Sequence, residues 1–171
     1  MVIVDAYREA DLAEVLAIEA AAFGGDGGRA PASSRLDAAR IAEEIARPWT
    51  RFWVARAEGI VASFLLAWHV ADELHVLDVA THPHARRRGL ATRLLEHALA
   101  YAREHRIRHL LLEVRRSNLP AIRLYRKIGF HAARVRPCYY PDDEDAVEMA
   151  LMLDPETGEI VPMADDVTVG A

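Results

Sequence analysis

The sequence predicts a mixed-sheet α/β (α+β) domain, and three observations carry that prediction. Three strand-like runs follow one another at 51–57, 60–69 and 73–81, the first two separated by Glu58-Gly59, a two-residue hairpin signal. The pattern then changes to strand, helix, strand, helix, the order of a crossover that joins parallel strands. The chain has 171 residues, 52% hydrophobic and 27% charged, the length and balance of one globular domain.

In chain order, residues 2–7 read as a short strand. Asp11 stands where it could cap a helix running to about Phe23, with Leu12, Val15, Leu16 and Ile18 on its apolar face. The glycine-rich stretch from Gly24 to Ser34 is expected as a loop, because clustered glycine is costly to order as helix. A second helix covers 36–46 and stops before Pro48. After the three central strands, Leu90, Leu94, Leu95, Ala98, Leu99 and Ala102 recur on one helix face. Residues 109–115 form a short apolar strand. Asn118 and Pro120 open a last helix that Gly129 closes. Strands at 131–136 and 146–153 finish the sheet, the second alternating Val147, Met149, Leu151 and Leu153 on one face. The reading totals about seven strands and about four helices within residues 1–154. Residues 155–171 are acidic with little to bury, and are expected to be a flexible or loosely docked tail.

Composition narrows the function. No apolar run approaches the ~18 residues of a membrane span, so no membrane partner is expected. The start lacks a basic stretch before an apolar one, so a cytoplasmic protein without a secretory signal is expected. The single Cys138 excludes an internal disulfide and a multi-cysteine metal site. The net charge of −5 is unevenly spread: all 21 Lys and Arg lie before residue 137, and ten acidic residues follow it. Nine Arg stand between Arg86 and Arg116 against Glu96, Glu104 and Glu113. Such a local cluster points to a small anionic ligand more than to a nucleic acid, which is not expected as a direct partner.

Arg86-Arg87-Arg88-Gly89-Leu90-Ala91-Thr92 joins a strand to a helix. The helix start offers unpaired N–H groups and a positive dipole end, Gly89 clears the approach, and the Arg residues add charge-assisted bonds. A solvated basic turn would look similar, but the order strand, Arg-rich turn, small residue, helix favours a pyrophosphate cradle. Neither the Walker loop nor the GxGxxG fingerprint is present. Glu113 interrupts an otherwise apolar strand. It reads as a carboxylate held by a neighbouring Arg, or as a general base in an apolar setting. Tyr125 reads as a core phenol, or as a proton donor to a leaving group, since an ordinary tyrosine keeps its proton at neutral pH. The histidines lack metal-site partners at ligand spacing, Ser33, Ser34 and Thr50 have no adjacent base, and Cys138 has only Arg136 nearby to lower its pKa. No metal is expected.

Taken in order, these pieces resemble the GNAT superfamily of acyl-CoA-dependent N-acetyltransferases, and within it the RimI-type ribosomal-protein-alanine N-terminal acetyltransferases. The likeness runs from about Leu77 to Leu153. Residues 86–91 fit the Gln/Arg-x-x-Gly-x-Gly/Ala signature. More specific are Leu112-Glu113-Val114-Arg115-Arg116-Ser117-Asn118, Ala121-Ile122-Arg123-Leu124-Tyr125 and Ile128-Gly129-Phe130. Arg136-Pro137-Cys138-Tyr139-Tyr140-Pro141 with Glu144-Asp145-Ala146 resembles the tyrosine-bearing hairpin of the N-terminal acetyltransferase branch.

The resemblance implies a mostly antiparallel sheet with a splayed strand pair binding acyl-CoA, and acetyl-CoA as co-substrate. It implies that Val79, Ala80 and Thr81 meet the pantetheine arm. Arg86, Arg87, Arg88, Gly89, Leu90, Ala91 and Thr92 would hold the pyrophosphate, and Asn118 would contact the cofactor near its reactive end. Glu113 matches the family's general base and Tyr125 its general acid, while Tyr139 and Tyr140 match residues framing a peptide N-terminus. The implied acceptor is a protein N-terminus, such as that of a ribosomal protein, met by a monomer or weak dimer. A small amine, a lysine side chain, and a sensor that binds acyl-CoA without turnover are the alternatives. Three departures stand out: Asp78 where an uncharged residue is common, Thr81-His82 for the usual Val-Asp, and the loop at 24–34, placed where it could gate the acceptor site.

Overall fold

The computed structural model describes residues 1–23 and 35–170. The expected glycine-rich loop, its proposed gating role and Ser33-Ser34 lie outside the described residues. The strands are β1 (Val2–Ala6), β2 (Thr50–Ala57), β3 (Ile60–Val70), β4 (Glu73–Thr81), β5 (His109–Arg115), β6 (His131–Arg136), β7 (Ala146–Leu153) and β8 (Ile160–Val161). The helices are α1 (Leu12–Phe23), α2 (Ala38–Ala46), α3 (Leu90–Glu104) and α4 (Leu119–Ile128). The hydrogen-bonded strand order is β1-β2-β3-β4-β5-β7-β6, with β8 on β7. The chain divides into two units, Met1–Trp68 with Leu77–His97, and His69–Val76 with Ala98–Ala171.

In the first unit, β1 pairs antiparallel with β2, and β2 with β3 around Glu58 and Gly59. Both turn residues have positive φ, 56° and 84°, the geometry that matches the twist of a two-residue hairpin. Val15 and Ile18 of α1, Ile41 of α2, and Val54, Phe64 and Leu66 of the strands form one buried cluster. Asp37 caps α2 by accepting from the Arg40 N–H at 2.8 Å. Asp11 does not cap α1 as expected. It ends a short 3₁₀ turn (Glu9–Asp11), accepts from the Arg8 N–H at 2.9 Å, and takes both oxygens to Arg56 Nη2 at 2.8 Å. Pairing with a guanidinium satisfies this buried carboxylate better than a helix end would.

In the second unit, β4 runs parallel to β5 over Glu73↔His109 to Val76↔Leu112, joined through α3 as a crossover. β5 then pairs antiparallel with β7, and β7 with β6. Leu110, Leu112 and Val114 of β5 and Val147, Met149, Leu151 and Leu153 of β7 are buried. Their neighbours point to the opposite face, and that face carries Glu113 and Glu148.

Several residues of the C-terminal stretch pack onto the rest of the second unit. β8 pairs with Met152 and Leu153, and Val169 is buried. Asp165 accepts from the Ala132 N–H at 2.8 Å and from Arg126 at 2.5 Å, and the Asp166 N–H donates to the Ala132 carbonyl. Arg126 also donates to the carbonyls of Val169 and Gly170. The open edge of β6 and one arginine thus supply the partners that composition alone does not reveal.

Candidate active site

The first unit holds the predicted cofactor residues from Val79 to Thr92. The end of β4 is fixed from β3: Ser63 Oγ lies 2.7 Å from the Ala80 carbonyl and 2.8 Å from Thr81 Oγ1, and the His82 N–H donates to Ala62. Thr81, a departure from the family pattern, therefore has a structural partner in Ser63.

After the short turn Pro83–Ala85, Arg87 and Gly89 take positive φ, 64° and 78°, and swing the chain into α3. Leu90 is buried and anchors the helix start, whereas Arg86, Arg87, Arg88 and Gly89 are exposed. The Arg93 N–H donates to the Gly89 carbonyl at 3.0 Å. The N–H groups of Leu90, Ala91 and Thr92 precede that rung, where the helix ladder has no carbonyl to give them. A Cβ on Gly89 would meet open space, so nothing crowds the approach. Glu58 approaches Arg88 at only 3.7 Å, with both side chains exposed. Exposed guanidiniums, forward N–H groups and a bare backbone suit the oxygens of a diphosphate.

Beside this turn in sequence, Asp78 is half-buried, and its carboxyl is pushed up to about 7. Desolvation is the main cause and the nearby Glu19 carboxylate adds to it, against Arg40 and the Val79 N–H. Glu19 is itself raised by burial; one oxygen accepts from the Leu36 N–H at 3.2 Å and the other has no partner. The sequence marked Asp78 as a departure but gave no sign of Glu19, 59 positions away.

The second unit holds Glu113, Asn118, Tyr125, Tyr139 and Tyr140. Glu113 accepts from Arg136 Nη1, and the neighbouring Glu113 carboxylate is the main cause that holds the Tyr139 hydroxyl above the usual phenol range. The Arg136 guanidinium lies over the Tyr139 ring, 4.6 Å from its centre. Tyr140 sits edge-on to Tyr139 with centroids 5.2 Å apart. Burial pushes its hydroxyl up to about 12, against the Arg115 guanidinium stacked 4.0 Å above the ring.

The β6–β7 connection that carries both tyrosines is tied down by its acidic residues. Arg115 reaches Asp142 at 2.9 Å and Glu144 at 2.8 Å, and Arg116 reaches Asp145 at 3.0 Å. The Ser117 and Cys138 N–H groups donate to Glu144 and Asp145. Asn118 caps α4, its Oδ1 accepting from the Ala121 N–H at 3.3 Å. Tyr125 is half-buried on α4, edge-on to Phe130 at 5.9 Å.

The structure therefore brings Glu113 and Tyr139 together around Arg136, while the turn into α3 belongs to the other unit. Arg136, which the sequence placed only in the tyrosine hairpin motif, is the cation that holds Glu113, the first of the two readings open for that carboxylate. Among the described residues no three His, Cys, Asp or Glu side chains gather as a metal site, and no helix is long and apolar enough to cross a membrane.

A model of the acetyltransferase (GNAT) family matches residues 12–130. The ribosomal protein bS18-alanine N-acetyltransferase of Escherichia coli K12 is 41% identical over 96 residues, 54% of this chain and 65% of that relative. An N-alpha-acetyltransferase of Sulfurisphaera tokodaii is 35% identical over 115 residues, 60% of this chain and 69% of the relative. The crystal structure of the Escherichia coli ribosomal-protein-S18-alanine N-acetyltransferase superposes with a TM-score of 0.77 at 28% identity, covering 98% of this chain and 99% of the other. The sequence matches to the enterobacterial relatives thus span just under two thirds of their length.

Proposed function

The chain belongs to the acetyltransferase (GNAT) family, and from that premise we propose that it moves an acetyl group from acetyl-CoA to the N-terminal α-amine of a protein. Bound acetyl-CoA supplies the acetyl group as a thioester, which an amine attacks only when neutral. An α-amine, with a pKa near ~8, reaches that form far more readily than a lysine side chain at ~10.4.

In this reading the N–H groups of Leu90, Ala91 and Thr92, with Arg86, Arg87 and Arg88, hold the pyrophosphate. The backbone of Val79, Ala80 and Thr81 meets the pantetheine arm, and its N–H groups face the carbonyl oxygen as charge builds there. Asn118 contacts the cofactor near its reactive end. Glu113 takes the proton that the nitrogen loses, directly or through a water, and Tyr125 gives one to the departing sulfur. Tyr139 and Tyr140 frame the incoming N-terminus. Holding both substrates together supplies much of the acceleration, since proximity is worth up to ~7–11 kcal/mol in well-oriented models.

The observation that carries the peptide reading is the Arg136 guanidinium, which bonds Glu113 and lies over the Tyr139 ring, with Tyr140 packed edge-on beside that ring. It supports an aromatic frame built around the proton acceptor itself. A ribosomal protein is the acceptor proposed, in the cytoplasm, by analogy with the Escherichia coli relative.

Thiol release from acetyl-CoA tests the assignment, with short peptides of varied first residue set against free lysine and polyamines. Turnover confined to peptides is the expected result. Turnover confined to small amines rejects the peptide acceptor, and CoA binding without turnover on any acceptor favours a sensor.

A further inference from the structure

We infer that Arg136 is a positioning residue that makes the Glu113 face select its acceptor as the neutral amine; this rests on the peptide-acceptor reading above. Four charges share one face of three adjacent strands. Glu113 of β5 lies directly opposite Glu148 of β7, and Glu148 opposite Arg134 of β6, with Arg136 two residues further along β6. Two carboxylates facing each other across strands repel. Each is answered by its own arginine: Arg134 Nη2 lies 2.7 Å from Glu148, and Arg136 Nη1 reaches past β7 to Glu113. The four charges sum to zero.

The remaining charged neighbours are committed elsewhere, Arg115 to Asp142 and Glu144, and Arg116 to Asp145. Tyr139 and Tyr140, both raised, stay uncharged at neutral pH. Glu113 therefore has a cation in place before any acceptor arrives. A protonated α-amine would put a second positive charge beside the Arg136 guanidinium, or drive it off both the carboxylate and the Tyr139 ring. A neutral amine does neither, and can donate an N–H to Glu113 while its lone pair stays free to attack.

The attacking nitrogen becomes strongly acidic only as its new C–N bond forms. The single proton it then loses is the one Glu113 accepts, and the sulfur takes one from Tyr125. The same device separates acceptors: at neutral pH a lysine side chain is neutral roughly 200-fold less often than an α-amine, from their ordinary pKa values.

The test is calorimetric binding of a hexapeptide with a free N-terminal alanine to the CoA-loaded protein between pH 6 and pH 9. It compares the natural protein with R136Q, R136M and R136K. The Arg136 side chain is 42% exposed, so none of these changes disturbs the core. The natural protein is expected to bind at least about tenfold tighter at pH 9 than at pH 6, as the α-amine loses its proton near ~8. In R136Q and R136M the face carries one net negative charge, and the slope reverses: the ammonium form binds better and affinity falls about threefold or more. R136K keeps the natural slope. In turnover, R136Q shows a lower KM below pH 7 with no gain in kcat. A natural slope in both neutral variants overturns the inference, as does tighter binding of the natural protein at pH 6. Failure of the natural protein to bind any peptide beside CoA overturns the peptide acceptor and the role of Arg136 together.

Discussion

Glu113 and Asp78 are the two carboxylates whose surroundings differ most, and each makes its own prediction. Glu113 is bonded to the Arg136 guanidinium and is the base proposed above, so Glu113→Gln keeps the shape and removes the carboxylate. A fall of roughly 10²–10⁴ in kcat is expected, with CoA affinity unchanged by calorimetry. Tyr125→Phe should lower kcat without moving the peptide KM. Asp78 concerns stability instead. Its carboxyl, pushed up to about 7, keeps its proton in the folded chain over a range where the unfolded chain, with an ordinary carboxyl near 3.8, has lost it. Folding therefore binds the extra proton, and stability contributed by this group is full below about pH 4 and lost as pH rises to about 7. Asp78→Asn removes that slope. Its unfolding temperature should exceed that of the natural protein by at least about 2 °C at pH 7.5 and lose the advantage at pH 4, read by thermal melts.

The turn into α3 and the connection between β6 and β7 are the two elements that the proposed chemistry would use. In the turn, Gly89 at φ 78° holds a left-handed backbone that would cost a β-branched residue ~1–2 kcal/mol of strain, although the space around it is open. Gly89→Val should therefore weaken CoA binding while the protein still folds, whereas Arg87→Ala and Arg88→Ala should weaken it in a salt-dependent way. Calorimetry at two salt concentrations separates the two effects. Both elements were legible in the sequence, because strand period, helix period and the glycine between them are local signals. The strands at 73–81, 109–115, 131–136 and 146–153 match the structure end to end for the same reason. Arg136 was not legible as a partner of Glu113. The two lie 23 positions apart on strands separated by β7, and no local pattern encodes a side chain that spans an intervening strand. The Glu19–Asp78 pairing was hidden likewise, since it joins a helix near the start of the chain to a central strand.

At the scale of the whole chain, the acidic C-terminal stretch is where composition says least. Residues 155–170 read as a flexible or loosely docked tail, and β8, Asp165, Asp166 and Val169 find a strand edge, an arginine and a buried site. A chain ending at Asp154 should melt several degrees lower, and the backbone amide of Ala132 should lose its protection from hydrogen exchange. An unchanged melting temperature would mean that these contacts contribute nothing. The charge asymmetry seen in the sequence also resolves at this scale, because much of the acidic excess after residue 137 pairs with Arg115 of β5, Arg116 just beyond it, Arg126 of α4 and Arg134 of β6.

Acetyl transfer to a backbone amine is the claim on which all of this rests, and mass spectrometric location of the product tests it most directly. A peptide with a free N-terminal alanine and one internal lysine is incubated with acetyl-CoA and the protein, then fragmented. One acetyl group on the α-nitrogen and none on the lysine is the predicted result; an acetylated lysine with a free N-terminus would contradict it.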